Sequence, residues 1–509
     1  MPKPPEYRII YNWDGAPHGY TPVPQTLDDF VARTYAPLQD TQVGALFWCI
    51  GEHAVRWSSD ELELLGDVHG RRYESAAAYT HTENIRQMLE RGENPHQALI
   101  DRGHELGLHV YGSLRMNDNH FNGAQLADLS TLHHTELTHL RREHPEWLLG
   151  ADTADWFALS WNMAVPEVRE NRFRHLRELC DNFAWDGVEL DWQRHPFHFP
   201  DDHGYRLRYV LTDFMRAARQ LADDIGRQRG KPLYLAARVA GSIEGCDRIG
   251  YDIATWTRER LVDILIPAGA AGTDPAIEVE AFLPLCAAND IALYPGFDGG
   301  VPGPAASPEP EAMRTKGTAL NYHRQGATGI YAFNWHADRD SKRELLTQVG
   351  ASDTLRSRDK LYNVTHRFRV TSGDWRGAYQ HDRLRGQLPV ALHRTLAGGG
   401  PEFVLELGDD LDSDPPTRVV LRLRLQDWIA GDEIRVLWDG KPVALDIAYD
   451  FGNDPAPIAD VSAATWHSCE LTPLQAQQGA HQIAVSLVAR HPQLACDLVL
   501  TDIEVLVRY

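Results

Sequence analysis

The chain has 509 residues, 43% hydrophobic and 24% charged, a composition that excludes disordered and fibrous classes and leaves a folded globular protein. That length exceeds one ordinary domain, so two are expected, one of them large enough to form a barrel. Basic residues number 50 against 72 acidic, a net charge of −22, which argues against nucleic acid or an anionic membrane as a partner, because both need a basic face. The six cysteines (Cys49, Cys180, Cys246, Cys286, Cys469 and Cys496) form no CxxC pair and read as reduced, buried residues. The N-terminal MPKPPEYRIIYNWDG lacks the charged start, apolar run and cleavage site of a signal peptide, and no apolar stretch could span a bilayer. A cytoplasmic location is therefore the default expectation, although a trimmed secreted chain would read alike.

Eight short apolar segments recur in chain order. They are Tyr7–Trp13, Val43–Ile50, Leu108–Leu114, Gly187–Trp192, Leu233–Val239, Val262–Pro267, Ile291–Phe297 and Gly329–Trp335. Near-continuous apolar runs are the signature of strands buried on both faces. Between them lie amphipathic stretches that predict helices at Pro95–Leu106, Val165–Phe183, Tyr205–Gly230, Pro310–Gln325 and Ser341–Val349. Eight alternating strands, with no GxGxxG after any of them, favour a (β/α)₈ TIM barrel over residues 1–351 rather than a dinucleotide-binding sheet. The proline-rich stretch Pro302–Glu311 reads as a loop. From residue 352 to 509 the helices stop. Short strands are predicted at Asn363–Val370, Glu402–Leu407, Arg418–Leu425, Glu433–Trp438, His481–Val488 and Leu498–Val507, which points to a β-sandwich that either braces the barrel or binds ligand.

Most barrel strands run directly into polar or aromatic groups: Asn12, Trp13 and Asp14, Arg115, Asn117 and Asp118, Glu189 to His195, Arg238, Asp298, and Asn334 with Trp335 and His336. Barrel enzymes carry their chemistry at these C-terminal strand ends. The fourth strand, WDGVELDWQRH at Trp185–His195, is the densest. Residues two apart on a strand share a face, so Glu189, Asp191 and Gln193 point the same way. Two buried carboxyls on one face raise at least one pKa, and a raised carboxyl is what a general acid requires. Pairing with inward arginines such as Arg115 or Arg238 is the structural alternative.

DGVELDWQ resembles the DGxDxDxE strand of chitinase-type glycosidases, with Glu189 at another Asp position and Gln193 at the place of that family's catalytic Glu. An amide cannot protonate a leaving group, so that chemistry does not carry over. The chain more closely resembles a bacterial glycosyl-hydrolase-like family of barrel glycosidases. The resemblance rests on RMND at Arg115–Asp118, DGVELDWQRHP at Asp186–Pro196 and YPGFDGG at Tyr294–Gly300, and it implies a hydrolase acting on a carbohydrate.

A glycosidase needs two carboxyls flanking the scissile bond, about 5–5.5 Å apart for retention and about 6.5–9.5 Å for inversion. Asp191 is the expected first partner and Glu189 or Asp298 the second, with Asp14, Asp118 and Glu244 as further candidates. Asn12, Arg115, Asn117, Asp118, Trp192, Arg194, His195, Arg238, Tyr294 and Trp335 are the expected substrate-binding residues. The arginines point to an anionic sugar, a uronate or a sulfated residue, unless they serve the barrel carboxylates. Among the tryptophans, Trp13, Trp48, Trp192 and Trp335 stand on or near strand ends, where an indole can stack on a pyranose. His195, His198, Asp201, Asp202 and His203 offer metal-ligand atoms, but Pro196 breaks their alignment and no HExxH occurs, so no metal is expected, and no organic cofactor either. Two other readings stand beside the hydrolase. One is a polysaccharide lyase using His195, Tyr294 and Arg238; the other is a non-catalytic carbohydrate-binding barrel.

Overall fold

The computed structural model describes the chain except for residues 1–2, 18, 20, 122, 270–272, 274–275, 300–310, 366–386, 395–398 and 450–464. Residues 302–310 of the proline-rich loop and residues 366–370 of the first expected sandwich strand thus lie outside the described residues. The chain divides into two compact units. The first comprises described residues of Met1–Gly299 and Gly326–Gly350, the second those of Gly300–Gln325, Ala351–Arg369 and Asp382–Tyr509.

Among the described residues, nine strands build the first unit: β1 (Ile9–Trp13), β2 (Val43–Gly51), β3 (His109–Arg115), β4 (Gly187–Asp191), β5 (Tyr234–Ala240), β6 (Ile264–Ala268), β7 (Ala292–Leu293), β8 (Gly296–Asp298) and β9 (Ile330–Phe333). They pair in parallel in the order β7-β6-β5-β4-β3-β2-β1-β9-β8. The two ends of that order are joined in sequence by Tyr294 and Pro295 alone. They are halves of one strand, interrupted where Pro295 has no N–H to donate. Tyr294 N–H still reaches Leu265 O at 3.0 Å, and Pro295 O accepts from Tyr331 N–H at 3.1 Å, so the sheet closes on itself. Each of the eight sequence-read strands is a strand of this TIM barrel, the seventh in two pieces.

The helices are α1 (Leu27–Tyr35), α2 (Ala76–Glu90), α3 (Pro95–Glu105), α4 (His139–Glu143), α5 (Pro166–Asn182), α6 (Gly204–Arg229), α7 (Ile243–Ile249), α8 (Ile253–Arg258), α9 (Val279–Ala287), α10 (Glu311–Arg324) and α11 (Asp340–Leu346). The 26-residue α6 buries Leu211, Phe214, Met215, Ala218, Ala222 and Ile225, a stripe at helical spacing, and stops at Gly230 in the left-handed region (φ 67°). Asp263 joins it to the sheet, accepting from Arg219 Nη1 at 2.7 Å and from Leu235 N–H at 2.8 Å. No helix among the described residues is long and apolar enough to cross a membrane.

The second unit contains α10 and the antiparallel strands β10 (Lys360–Asn363), β11 (Val390–Leu392), β12 (Glu402–Leu407), β13 (Arg418–Gln426), β14 (Glu433–Trp438), β15 (Lys441–Val443), β16 (Asp446–Tyr449), β17 (Thr465–Glu470), β18 (Gly479–Ala489) and β19 (Leu498–Arg508). One sheet runs β10-β19-β13-β17-β16 with β11 on β19; the other runs β12-β18-β14-β15. Inward residues of both sheets, among them Phe403, Leu405, Leu421, Leu423, Trp438, Ile483, Val485 and Val505, share one core, which makes a β-sandwich. The helix that the sequence sets between the seventh and eighth barrel strands packs on this sandwich. Met313 of α10 clusters with Leu361, Val420 and Leu506, and Arg314 Nη2 lies 2.9 Å from Glu504 Oε1.

Aromatic rings plug the barrel at the N-terminal ends of its strands. Phe47 stacks on Tyr111 at 4.3 Å, Tyr7 Oη lies 3.0 Å from Tyr111 Oη, and Tyr294 Oη accepts from Tyr7 N–H at 2.8 Å. Tyr111 fits because Gly187 on β4 has no side chain. A Cβ there would lie 2.1 Å from Tyr111 Cε1 and 2.6 Å from Tyr234 O. Gly187→Ala is expected to destabilise the protein by about 2–3 kcal/mol or more through overpacking, read as a lower urea midpoint. An unchanged midpoint would mean that the Tyr111 ring does not lie against β4.

Candidate active site at the C-terminal mouth of the barrel

Above the aromatic plug, β4 carries Glu189 into the interior. Its carboxyl is fully buried and takes hydrogen bonds from three strands: Ser113 Oγ at 2.5 Å from β3, Asn12 Nδ2 at 3.1 Å from β1 and Tyr331 Oη at 2.6 Å from β9. Burial, and after it the charge of Asp191, raise its pKa to about 7.

One turn of the pleat higher, Arg115, Asp191 and Arg238 stand level across β3, β4 and β5. Arg238 Nη1 donates to Asp191 Oδ1 at 3.0 Å and reaches Oδ2 at 3.2 Å, while its Nη2 donates to Gly269 O at 2.7 Å. Asp191 Oδ1 also accepts from the backbone N–H of Gln193 and Arg194, at 3.1 and 2.9 Å. Phe333 forms the floor of this layer. The guanidinium carbons of Arg238, Arg115 and Arg194 lie 3.9, 5.3 and 5.7 Å from its ring centroid.

The wall of the mouth is the long segment between β3 and α5. Asn117 fixes it from within. Its Nδ2 donates to Trp161 O at 2.9 Å and to Phe197 O at 2.5 Å, and its Oδ1 accepts from Trp161 N–H at 2.9 Å. Beside it the Asp118 carboxylate is ringed by cationic and imidazole groups. Arg115 Nη1 stands at 3.1 Å, His195 Nδ1 at 2.6 Å, His120 Nε2 at 3.5 Å and Arg194 Nε at 3.8 Å. Burial alone would push that carboxyl up, but His120, His195 and Arg115 outweigh it and hold the group well below the usual carboxylate range. For His120 the balance runs the other way. Asp118 and Glu136 override burial and raise it to about 9, whereas burial lowers His195 to about 4.

Two carboxyls at the mouth reach solvent. Asp14, following β1, is 44% exposed and pairs with Arg115; the pull of Arg115 and Arg194 exceeds the opposing effect of burial and lowers its pKa. Asp298, ending β8, is partly exposed, and its carboxyl makes no hydrogen bond or ion pair among the described residues. Burial raises it above the ordinary range, against the pull of Arg194 and Arg238 and with the help of Asp14. Two neighbouring carboxyls are thus displaced in opposite directions, the pattern of an acid and a base sharing one site.

Asp118, His120 and His195 each bring a ligating atom within 4.8 Å of the others. A divalent ion among them would stand beside Arg115 and Arg194, which already approach the same carboxylate, so this donor set fits ion pairing better than metal. His198 is turned elsewhere, with Nε2 3.0 Å from both Trp192 O and Tyr251 Oη.

The structure therefore brings Asn12, Arg115, Asp118, Glu189, Asp191, Arg194, His195, Arg238 and Asp298 together in the upper barrel and mouth. Four expected site residues stand elsewhere or are spent. The amide of Asn117 is consumed by backbone. Trp192 packs outside the sheet against Phe214 and Met215 of α6. Tyr294 points to the opposite end of the barrel, and Trp335 is buried with its Nε1 on Lys342 O of α11 at 3.0 Å. Sequence reasoning missed Ser113, His120, Glu136, Tyr331 and Phe333; Asn334, read as a polar strand-end residue, accepts from Arg115 through its Oδ1 at 3.2 Å. Also missed was Arg141 of α4, a fully buried guanidinium between the rings of Phe121 and Trp161, 4.7 Å from each. Alternation would have found Ser113, Tyr331 and Phe333; Arg141 lies in a segment with no periodicity to read.

No family model and no curated protein matches the sequence. Among solved structures, a cycloisomaltooligosaccharide glucanotransferase from a Paenibacillus species has a TM-score of 0.35 and 13% identity over 98% of this chain and 57% of its own. A family 18 N-acetylglucosaminidase from Paenibacillus barengoltzii has a TM-score of 0.36 and 12% identity over 67% of this chain and 99% of its own. A family 36 α-galactosidase from Geobacillus stearothermophilus has 0.37 and 12%, over 99% and 56%. The chain spans little more than half the length of the first and third. Likeness at this level assigns neither family nor activity.

The pKa of Glu189 gives a test of the interior. A carboxyl near 7 in the folded state and near 4.5 in the unfolded state binds more protons when folded, so stability falls as pH rises between those values. Glu189→Gln removes the titration while keeping the shape. The stability of the variant relative to wild type is expected to increase from pH 5 to pH 8, by up to about 3 kcal/mol. Parallel stability curves across that range would show that Glu189 does not titrate there.

Proposed function

We propose that the chain is a glycoside hydrolase that cleaves an oligo- or polysaccharide at the C-terminal mouth of its barrel by carboxylate acid/base chemistry. The observation that carries this reading is Asp298, a partly exposed strand-end carboxyl with no hydrogen-bond partner among the described residues and a raised pKa. Such a group holds its proton to higher pH than an ordinary carboxyl and can deliver it to a glycosidic oxygen. Asp14, held ionised by Arg115, is the opposing base or nucleophile, with Asp191 behind it on Arg238. The carboxyl of Glu189 is spent on Ser113, Asn12 and Tyr331 and instead sets the layer above it.

The anionic-substrate reading rests on Arg194 rather than on Arg115 and Arg238, which serve Asp14, Asp118 and Asp191. Arg194 is 14% exposed, and its Nε has no hydrogen-bond partner among the described residues. The Nε of Arg115 and of Arg238 is unbonded too, but those side chains are 3% and 0% exposed, so Arg194 is the more open of the three to a uronate or sulfate.

Incubation with a panel of neutral, uronate-bearing and sulfated oligosaccharides tests both points. Wild type is expected to release reducing ends, and Asp298→Asn to lose about 10²–10⁴-fold in kcat/KM. Arg194→Met is expected to weaken turnover of the charged members alone. Unsaturated products absorbing in the ultraviolet would replace the hydrolase with a lyase; binding without turnover would leave a carbohydrate-binding barrel.

A further inference from the structure

Gln193 stands two residues beyond Asp191, and its backbone N–H donates to Asp191 Oδ1 at 3.1 Å, which fixes it beside that carboxylate. Its side chain is fully buried, and neither Nε2 nor Oε1 has a hydrogen-bond partner among the described residues. A buried amide left unsatisfied destabilises a fold, and an apolar residue of the same shape would not. Such a group persists where something other than stability holds it.

Three carboxyls of the upper barrel are already committed. Asp191 is taken by Arg238, Asp118 by Arg115 and His195, and Glu189 by Ser113, Asn12 and Tyr331. Asn12 keeps one acceptor, Oδ1, unbonded, whereas Gln193, beside Asp191, keeps both its donor and its acceptor. A carboxamide presents a donor and an acceptor side by side and carries no charge at any pH. Two adjacent hydroxyls of a sugar ring are its complement: one accepts from Nε2–H while the other donates to Oε1. A carboxylate or sulfate would use the Nε2 donors only and leave Oε1 facing an anion.

We propose that Gln193 is a specificity-determining residue that reads a pair of adjacent hydroxyls on the sugar ring bound beside Asp191. The assignment rests on the glycosidase reading above. It also explains why this position keeps an amide where a carboxylate would add a third acid to Glu189 and Asp191.

The test compares wild type, Gln193→Met and Gln193→Glu in the full chain, by thermal unfolding and by turnover of the same oligosaccharide panel. Gln193→Met is expected to raise Tm by about 2–4 °C while lowering kcat/KM about 10–100-fold. A residue with a merely structural role would not move the two readouts in opposite directions. Gln193→Glu can donate only while protonated, so its kcat/KM is expected to recover toward wild type at low pH and fall as pH rises. Wild-type turnover that Gln193→Met leaves within twofold would overturn the assignment and spare the hydrolase. A large fall in Tm for Gln193→Met would also overturn it, because the amide would then be bonded within the fold. If wild type neither binds nor cleaves any member of the panel, the carbohydrate reading itself fails, and this assignment with it.

Discussion

The three neutral donors that converge on the buried Glu189 carboxyl tie opposite walls of the barrel together, and the layers above depend on that contact. Asn12, Ser113 and Tyr331 come from three strands and reach across the interior to a fourth. They satisfy the carboxyl and pull its proton affinity down, but burial and the charge of Asp191 outweigh them and raise it. A second carboxylate one pleat higher then needs a cation of its own, and Arg238 on the adjacent strand supplies it in register. Phe333 gives Arg238, Arg115 and Arg194 a common aromatic floor, so that cationic groups gather at the mouth of a chain whose net charge is −22.

From that layer outward the site sorts its carboxyls by environment. Asp118 and Asp14 are surrounded by cationic or imidazole groups and stay ionised. The Asp298 carboxyl feels Arg194 and Arg238 only at longer range, accepts no hydrogen bond among the described residues, and has a raised pKa. The chemistry proposed for the mouth is a consequence of this sorting. It needs a rigid wall, and the double hydrogen bond between Asn117 and the Trp161 backbone supplies one.

The barrel was legible because parallel strands buried on both faces leave apolar runs that a sequence shows directly. The break at Pro295 was not legible as such, since IALYPGF reads as one strand; pairing on both sides of the proline is what makes it two. In the sandwich, β17 (Thr465–Glu470, TWHSCE) escaped notice because its outward positions are polar and its run is short. At the site, the alternation that placed Glu189 and Asp191 inward also turns Trp192 outward, and the same rule would have added Ser113, Tyr331 and Phe333. Asn117 read as a ligand residue because its type and position fit one; that its amide is spent on Trp161 and Phe197 depends on a fold of the β3–α5 segment that no local pattern encodes.

The pH dependence of kcat/KM on whichever oligosaccharide the protein cleaves tests the central claim most directly. The account predicts a bell: activity falls at low pH as Asp14 gains a proton and at high pH as Asp298 loses one, and Asp298→Asn abolishes the alkaline limb in a protein that remains folded. An alkaline limb that persists unchanged in Asp298→Asn would contradict it, because the proton would then come from another group.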